Sequence, residues 1–350
     1  MDQMRNNLTR FVCGMCLCAP LTWAENLTPD VANESVGDST LTPYKQCIVN
    51  IAESASNVLS VAQLRNYCSA ETRGEDTFDS DSTPLQRRIE LEQFSMNNPF
   101  SLLPHRPNYI LPLTYTQYPN GDYIDPGEGD LQNIEVQFQL SLKVVLLDGI
   151  YRDYGNLSFA YTARSFWQAY NLKLSSPFRD TNHEPEFILA LGSGLELGSF
   201  RNAGNALSLN HQSNGRGGED SRSWNRVIFQ TLWENGPVVI AFRPWYRIPS
   251  PEPRYPGDPL GDDNPDIQHY LGHFDLNVAY AAGKQRYSLM LRNNLEFDDN
   301  KGAVELAWSF PFNNRVRGRL NYFEGYGESL IDYDNYSRSI GLGIELSGWL

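Results

Sequence analysis

The chain has 350 residues, of which 41% are hydrophobic and 12% aromatic, too apolar a composition for a disordered protein. Its 42 acidic and 28 basic residues give a formal charge of −14, which argues against a nucleic-acid partner and against electrostatic docking on anionic lipid; divalent cations remain compatible partners. Beyond a short N-terminal stretch, no apolar run approaches the roughly 20 residues that a membrane-spanning helix needs, so a helical membrane protein is excluded.

At the N-terminus Arg5 and Arg10 lead into "FVCGMCLCAPLTWA", with small Thr22 and Ala24 where a cleavage site has them. The segment 1–24 reads as a secretory signal peptide cut after Ala24. Three of the five cysteines fall inside it, leaving Cys47 and Cys68, and an even pair in an exported protein reads as a disulfide. Apolar residues between them recur at helical spacing. One unbroken helix would hold the two about 30 Å apart at 1.5 Å per residue, so a bridge requires a break near residues 57–60 and a small helical hairpin. Residues 25–96 are polar and acidic, with "ETRGEDTFDSDSTP" as a linker, and are expected to form an N-terminal periplasmic extension.

From residue 97 to 350 the texture is that of strands. Every even position from Ile134 to Leu146 is apolar, while Glu135, Gln137, Gln139, Ser141 and Lys143 occupy the other face. The alternation returns at 157–162, at 273–280, and at 315–322, where Arg315, Arg317, Arg319 and Asn321 oppose Val316, Leu320 and Tyr322. An arginine row buried in a soluble sandwich would lack partners; in a transmembrane barrel the polar face is the lumen and the apolar face meets lipid. About twelve strands are expected, beginning near residues 107, 132, 156, 186, 204, 222, 237, 267, 285, 302, 314 and 337. Long and short connections alternate, which places both barrel ends in the periplasm and the turn at 213–221 outside. The fold class is therefore all-β: a transmembrane antiparallel barrel in a Gram-negative outer membrane.

The same alternation raises a question at "LNHQSNGRGGEDSRSWNR", residues 209–226. Leu207 and Leu209 face lipid, so His211 and Ser213 point outward near the external rim. On the following strand Asn225 shares the outward face of Val227, Phe229 and Trp233. A serine needs an adjacent base to act as a nucleophile, and an asparagine can orient that base without adding charge. These three side chains either form a Ser-His-Asn triad or are ordinary polar residues of the membrane interface.

The stretch "HQSNGRGGEDSRSWNR" resembles the signature of the outer membrane phospholipase A family, as do "SSPFRDTNHEP" at 175–185, "RPWY" at 243–246, "DDNPDI" at 262–267 and "GYGESLIDY" at 325–333. The resemblance covers about residues 97–350 and is silent on 25–96. It implies a calcium-dependent hydrolase with phospholipase A1 and A2 activity toward outer-leaflet phospholipids and lysophospholipids. His211 would be the general base, Ser213 the nucleophile and Asn225 the orienting partner, with the Gly215 amide helping to hold the oxyanion. It implies Ca2+ at Ser175, Arg216 through its carbonyl, and Ser221, with Asp263 at a further contact. It also implies a homodimer in the active state.

His105, His183, His269 and His273 lack the spacing of a transition-metal site and read as loop or lumen residues. Asp262 and Asp263 by themselves read as solvated loop charges. The rival readings are a passive porin-like or structural barrel with an inactive hairpin, and a soluble secreted esterase, which the barrel-length alternation disfavours.

Overall fold

The computed structural model describes residues 45–49, 82–96, 101–121, 130–151, 154–174, 178–255, 258, 261–313 and 316–348. The signal segment, Cys68, Ser175 and the C-terminal Trp349 and Leu350 lie outside the described residues. Two compact units are present, Met1–Thr77 and Phe78–Leu350. Of the first, residues 45–49 are helical and Cys47 is disulfide-bonded.

The second unit is a closed antiparallel barrel of twelve long strands. In chain order they are β1 (Asn108–Thr116), β2 (Ile134–Tyr151), β3 (Tyr154–Trp167), β4 (Phe178–Leu191), β5 (Phe200–Ser213) and β6 (Ser223–Asn235). They continue as β7 (Val238–Ile248), β8 (Phe274–Ala282), β9 (Gln285–Asn293), β10 (Gly302–Pro311), β11 (Arg317–Tyr326) and β12 (Tyr336–Ser347). Each pairs with its chain neighbours, and β12 pairs with β1 to complete the ring. Closure leaves no unpaired edge, which is what allows a sheet to stand in hydrocarbon.

The period-2 pattern sorts side chains as expected. Leu113, Leu140, Phe187, Leu207, Leu209, Phe229, Leu306 and Leu342 are exposed on the outer wall. Glu135, Gln137, Ser141, Glu184, Glu186, Asn210, Arg226, Arg319 and Glu345 are buried inside. Interior charges meet partners from distant strands. Arg106 donates to both carboxylate oxygens of Glu184 at 2.7 and 2.9 Å, Arg226 reaches Glu184 at 3.1 Å, and Arg319 pairs with Glu345 at 2.5 Å. Removing one member would leave an uncompensated buried charge, at a cost of about 3–5 kcal/mol.

Two strand starts differ from the sequence reading. β4 begins at Phe178 rather than near 186, because Arg179, Asp180, Asn182 and Glu184 face the lumen and look like a loop to hydropathy alone. Near 267 the chain forms the short helix α2 (Ile267–Leu271) instead, and the strand begins at Phe274. Helix α2 contributes Ile267 and Leu271 to an apolar cluster with Trp224, Ile228, Trp245, Leu330 and Tyr333, which covers the lumen at the long-loop end.

A further helix, α1 (Pro84–Met96), occupies the other mouth. It opens with a capping box: the Gln86 amide donates to Thr83 Oγ1 at 3.1 Å while the Thr83 amide donates to Gln86 Oε1 at 3.0 Å, with Pro84 at the first helical position. Both capping side chains also donate to the lumen carboxylate of Glu234, and Leu85 packs with Val239 and Ala279.

Candidate active site

The hairpin of β5 and β6 carries the site. Its register sets His211 directly opposite Asn225 and Ser213 opposite Ser223. His211 and Ser213 lie two residues apart and so project from one face, outward, as Leu207 and Leu209 do. His211 Nδ1 lies 2.8 Å from Asn225 Oδ1. An amide oxygen only accepts, so Nδ1 carries the proton and Nε2 is left as the basic nitrogen. Ser213 Oγ has no hydrogen-bond partner among the described residues, and all three side chains are half-buried.

The inner face holds this geometry still. Gln212, between His211 and Ser213, points into the barrel and accepts from Trp224 Nε1 at 2.9 Å. Arg226 stacks 4.0 Å above the Trp224 ring and donates to Asn210 and Gln212. Trp224 is 1% exposed, so the two strands are clamped from within at the level where His211, Ser213 and Asn225 stand outside.

The turn after Ser213 is organised by Asn214. Its Oδ1 accepts from the amides of Arg216 (3.3 Å) and Arg222 (3.0 Å), and its Nδ2 donates to the Asp220 carbonyl at 2.9 Å. Gly215 sits at φ 67°, a left-handed conformation that glycine adopts without a Cβ penalty. Arg216 donates to the Arg179 carbonyl at 2.7 Å, which fastens the turn to β4.

Beside the turn, oxygens converge. Ser221 Oγ donates to Asp263 Oδ2 at 2.6 Å, and Ser223 Oγ approaches the same atom at 3.3 Å. The aspartate pair is not a solvated loop charge: Asp262 pairs with Arg247 at 2.5 Å, and the fully buried Asn264 accepts from the Ser223 amide at 2.9 Å. Among the described residues no cluster of three or more His, Cys, Asp or Glu side chains could hold a metal, so a cation here would rest on hydroxyl and carbonyl oxygens with one carboxylate. That donor set suits a hard ion.

In the covering loop Tyr333 donates to Asp266 at 2.6 Å, and Arg222 lies over its ring at 5.7 Å. Burial, with the Asp266 carboxylate beside it, pushes the Tyr333 phenol well above the usual tyrosine range. Burial likewise raises the Asp332 carboxyl, although Arg179 donates to it.

His105 is a lumen residue, 3.0 Å from Glu186, whereas His269 sits on helix α2 instead of in a loop, held between Glu296 and Asp299. His183 departs from the sequence reading. It alternates with Thr181, Pro185 and Phe187 on the outer wall of β4, and its register partner is Ser213. The buried Asn182, Glu184 and Glu186 on either side carry the signal that would have found it.

The family model for phospholipase A1 matches residues 85–346. The structure superposes on the calcium-bound dimer of the Salmonella typhi outer membrane phospholipase with a TM-score of 0.67 at 34% identity, covering 73% of this chain and 96% of that one. The chain belongs to the outer membrane phospholipase A family. A phospholipase A1 of Proteus vulgaris is 36% identical over 253 residues, 72% of this chain and 83% of its own length. A Neisseria meningitidis serogroup B relative, 30% identical over 356 aligned positions, covers 97% of this chain and 88% of itself. Membership makes this a phospholipid-hydrolysing enzyme of the outer membrane, and the passive-channel and soluble-esterase readings give way.

Proposed function

We propose that the protein hydrolyses both acyl ester bonds of phospholipids, and those of lysophospholipids, in the outer leaflet, with Ser213 as nucleophile, His211 as general base and Asn225 as its orienting partner. The observation that carries this reading is the cross-strand hydrogen bond from His211 to Asn225 on the lipid-facing wall, two residues from a serine that has no hydrogen-bond partner among the described residues. A channel has no use for such a set outside its lumen. Ser213 Oγ attacks the acyl carbon and gives its proton to His211 Nε2; the carbonyl electron pair moves onto oxygen; collapse expels the lysolipid alkoxide, which takes that proton back. Water, deprotonated by His211, then releases the fatty acid. The Gly215 amide is the backbone donor for the oxyanion.

The converging oxygens of Ser221 and Asp263 suit Ca2+, with the Arg216 carbonyl and Ser175 as the further ligands that the family resemblance implies, and when bound it would supply positive charge to the developing oxyanion. The Salmonella typhi relative is a dimer with bound calcium, which supports the same active assembly for this chain. The test is fatty-acid release from phospholipid micelles by the purified protein, with and without a chelator. Release that depends on Ser213 and falls with chelation bears the reading out; release by Ser213→Ala refutes it.

A further inference from the structure

We propose that His183 is a further catalytic residue, donating from Nε2 to the oxyanion, with Tyr161 setting its tautomer. The inference rests on the Ser213 reading above. Three observations place the imidazole. The β4–β5 register sets His183 directly across from Ser213, with both side chains on the outer face. A β-carbon built on Gly215 would lie 3.5 Å from His183 Cδ2 and 3.6 Å from Nε2, so the ring edge borders the turn whose amide serves the oxyanion. Tyr161 on β3 stacks on the ring, centroids 6.1 Å apart, with its hydroxyl 2.6 Å from Nδ1.

A tyrosine hydroxyl can donate or accept; with Tyr161 as the donor to Nδ1, the ring proton stands on Nε2. Among the described residues Nε2 has no hydrogen-bond partner, so this N–H is available at the edge nearest Gly215 and Ser213. When Ser213 Oγ bonds to the acyl carbon and the carbonyl pair moves to oxygen, the new anion forms between the Gly215 amide and this N–H. His183 keeps its proton throughout; the one that moves travels from Ser213 to His211 and on to the leaving alkoxide. The outer wall thus carries two imidazoles with opposite duties, one presenting a lone pair and the other a donor.

The geometry also constrains position 215. Gly215 already needs its positive φ, and a β-carbon there would meet the His183 edge at ordinary van der Waals distance.

The experiment compares wild type, His183→Phe, His183→Gln and Tyr161→Phe, with Ser213→Ala as reference, on a phospholipid in detergent micelles; circular dichroism and resistance of the barrel to unfolding in cold detergent verify the fold. His183→Phe keeps a planar ring and removes the donor, so kcat is expected to fall about 10²-fold with KM within about twofold. Gln, whose amide still donates, recovers part of the loss, and Tyr161→Phe loses less than His183→Phe. If folded His183→Phe turns over within twofold of wild type, or if Gln is no better than Phe, the assignment is overturned. Should Ser213→Ala remain active, the triad reading falls first; an inactive Ser213→Ala beside an undiminished His183→Phe removes this proposal alone.

Discussion

His211 and Asn225 face each other across the β5–β6 ladder with Nδ1 and Oδ1 2.8 Å apart, a contact set by strand register before any side-chain torsion is chosen. The pair orients an imidazole but transfers no proton between its members. Asn225→Ala is therefore expected to lower kcat about 10²-fold and His211→Ala far more, roughly 10⁴-fold or beyond. Initial rates on one lysophospholipid decide the order; equal losses in two folded proteins would contradict it.

Ser213→Ala is expected to abolish hydrolysis without harming the barrel. The side chain lies on the outer wall and takes no part in a hydrogen bond among the described residues, while its backbone pairs with His183 and Ser223 whatever the residue. Thermal unfolding in detergent checks the second half of the statement, and covalent labelling by a fluorophosphonate, lost in the variant, checks the first.

Trp224→Ala attacks the site from behind. The indole is buried, ties to Gln212 and lies under Arg226, and a truncated buried aromatic costs about 3–5 kcal/mol. Stability and kcat should both fall although Trp224 touches no substrate. Trp224→Phe keeps the packing and loses the Gln212 bond, so it should retain most of the stability, which denaturant titration would show.

Ser221→Ala removes an oxygen that converges on Asp263 and leaves strand pairing intact. It should raise the calcium concentration for half-maximal activity while the melting temperature in chelator stays that of wild type. An unchanged calcium titration would place the cation elsewhere.

The Tyr333 phenol gives a pH signature. Because its folded pKa is raised, the folded state holds the proton more tightly than the unfolded chain does. The stabilisation is whole below the unfolded value of about 10 and is lost as pH rises through the folded one. Wild type should lose stability above pH ~10, and Tyr333→Phe should flatten that loss in alkaline melting curves.

Most of the barrel was legible because lipid and lumen demand opposite chemistry at alternate positions, and Ile134 to Leu146 satisfies that demand without interruption. The hairpin was legible for the same reason, since His211 and Ser213 continue a leucine face. β4 was not fully readable. Its lumen side is made of charges whose partners are remote, as Arg106 is from Glu184, 78 residues away, and no local window shows that Glu184 is paired. His183 was misplaced with it, because a histidine among charged residues reads as a loop until the strand around it is recognised. Helix α2 took the place of an expected strand because Ile267 and Leu271 close an apolar cluster with residues of β6, β7 and the loop after β11.

The guanidinium of Arg88 on α1 donates to the carbonyls of Pro104 and His105, just before β1, and to that of Gly348, just after β12. These acceptors come together only when the first and last strands have zipped. This one side chain thus bridges the two chain ends of the barrel, and its three bonds are complete only on a closed ring.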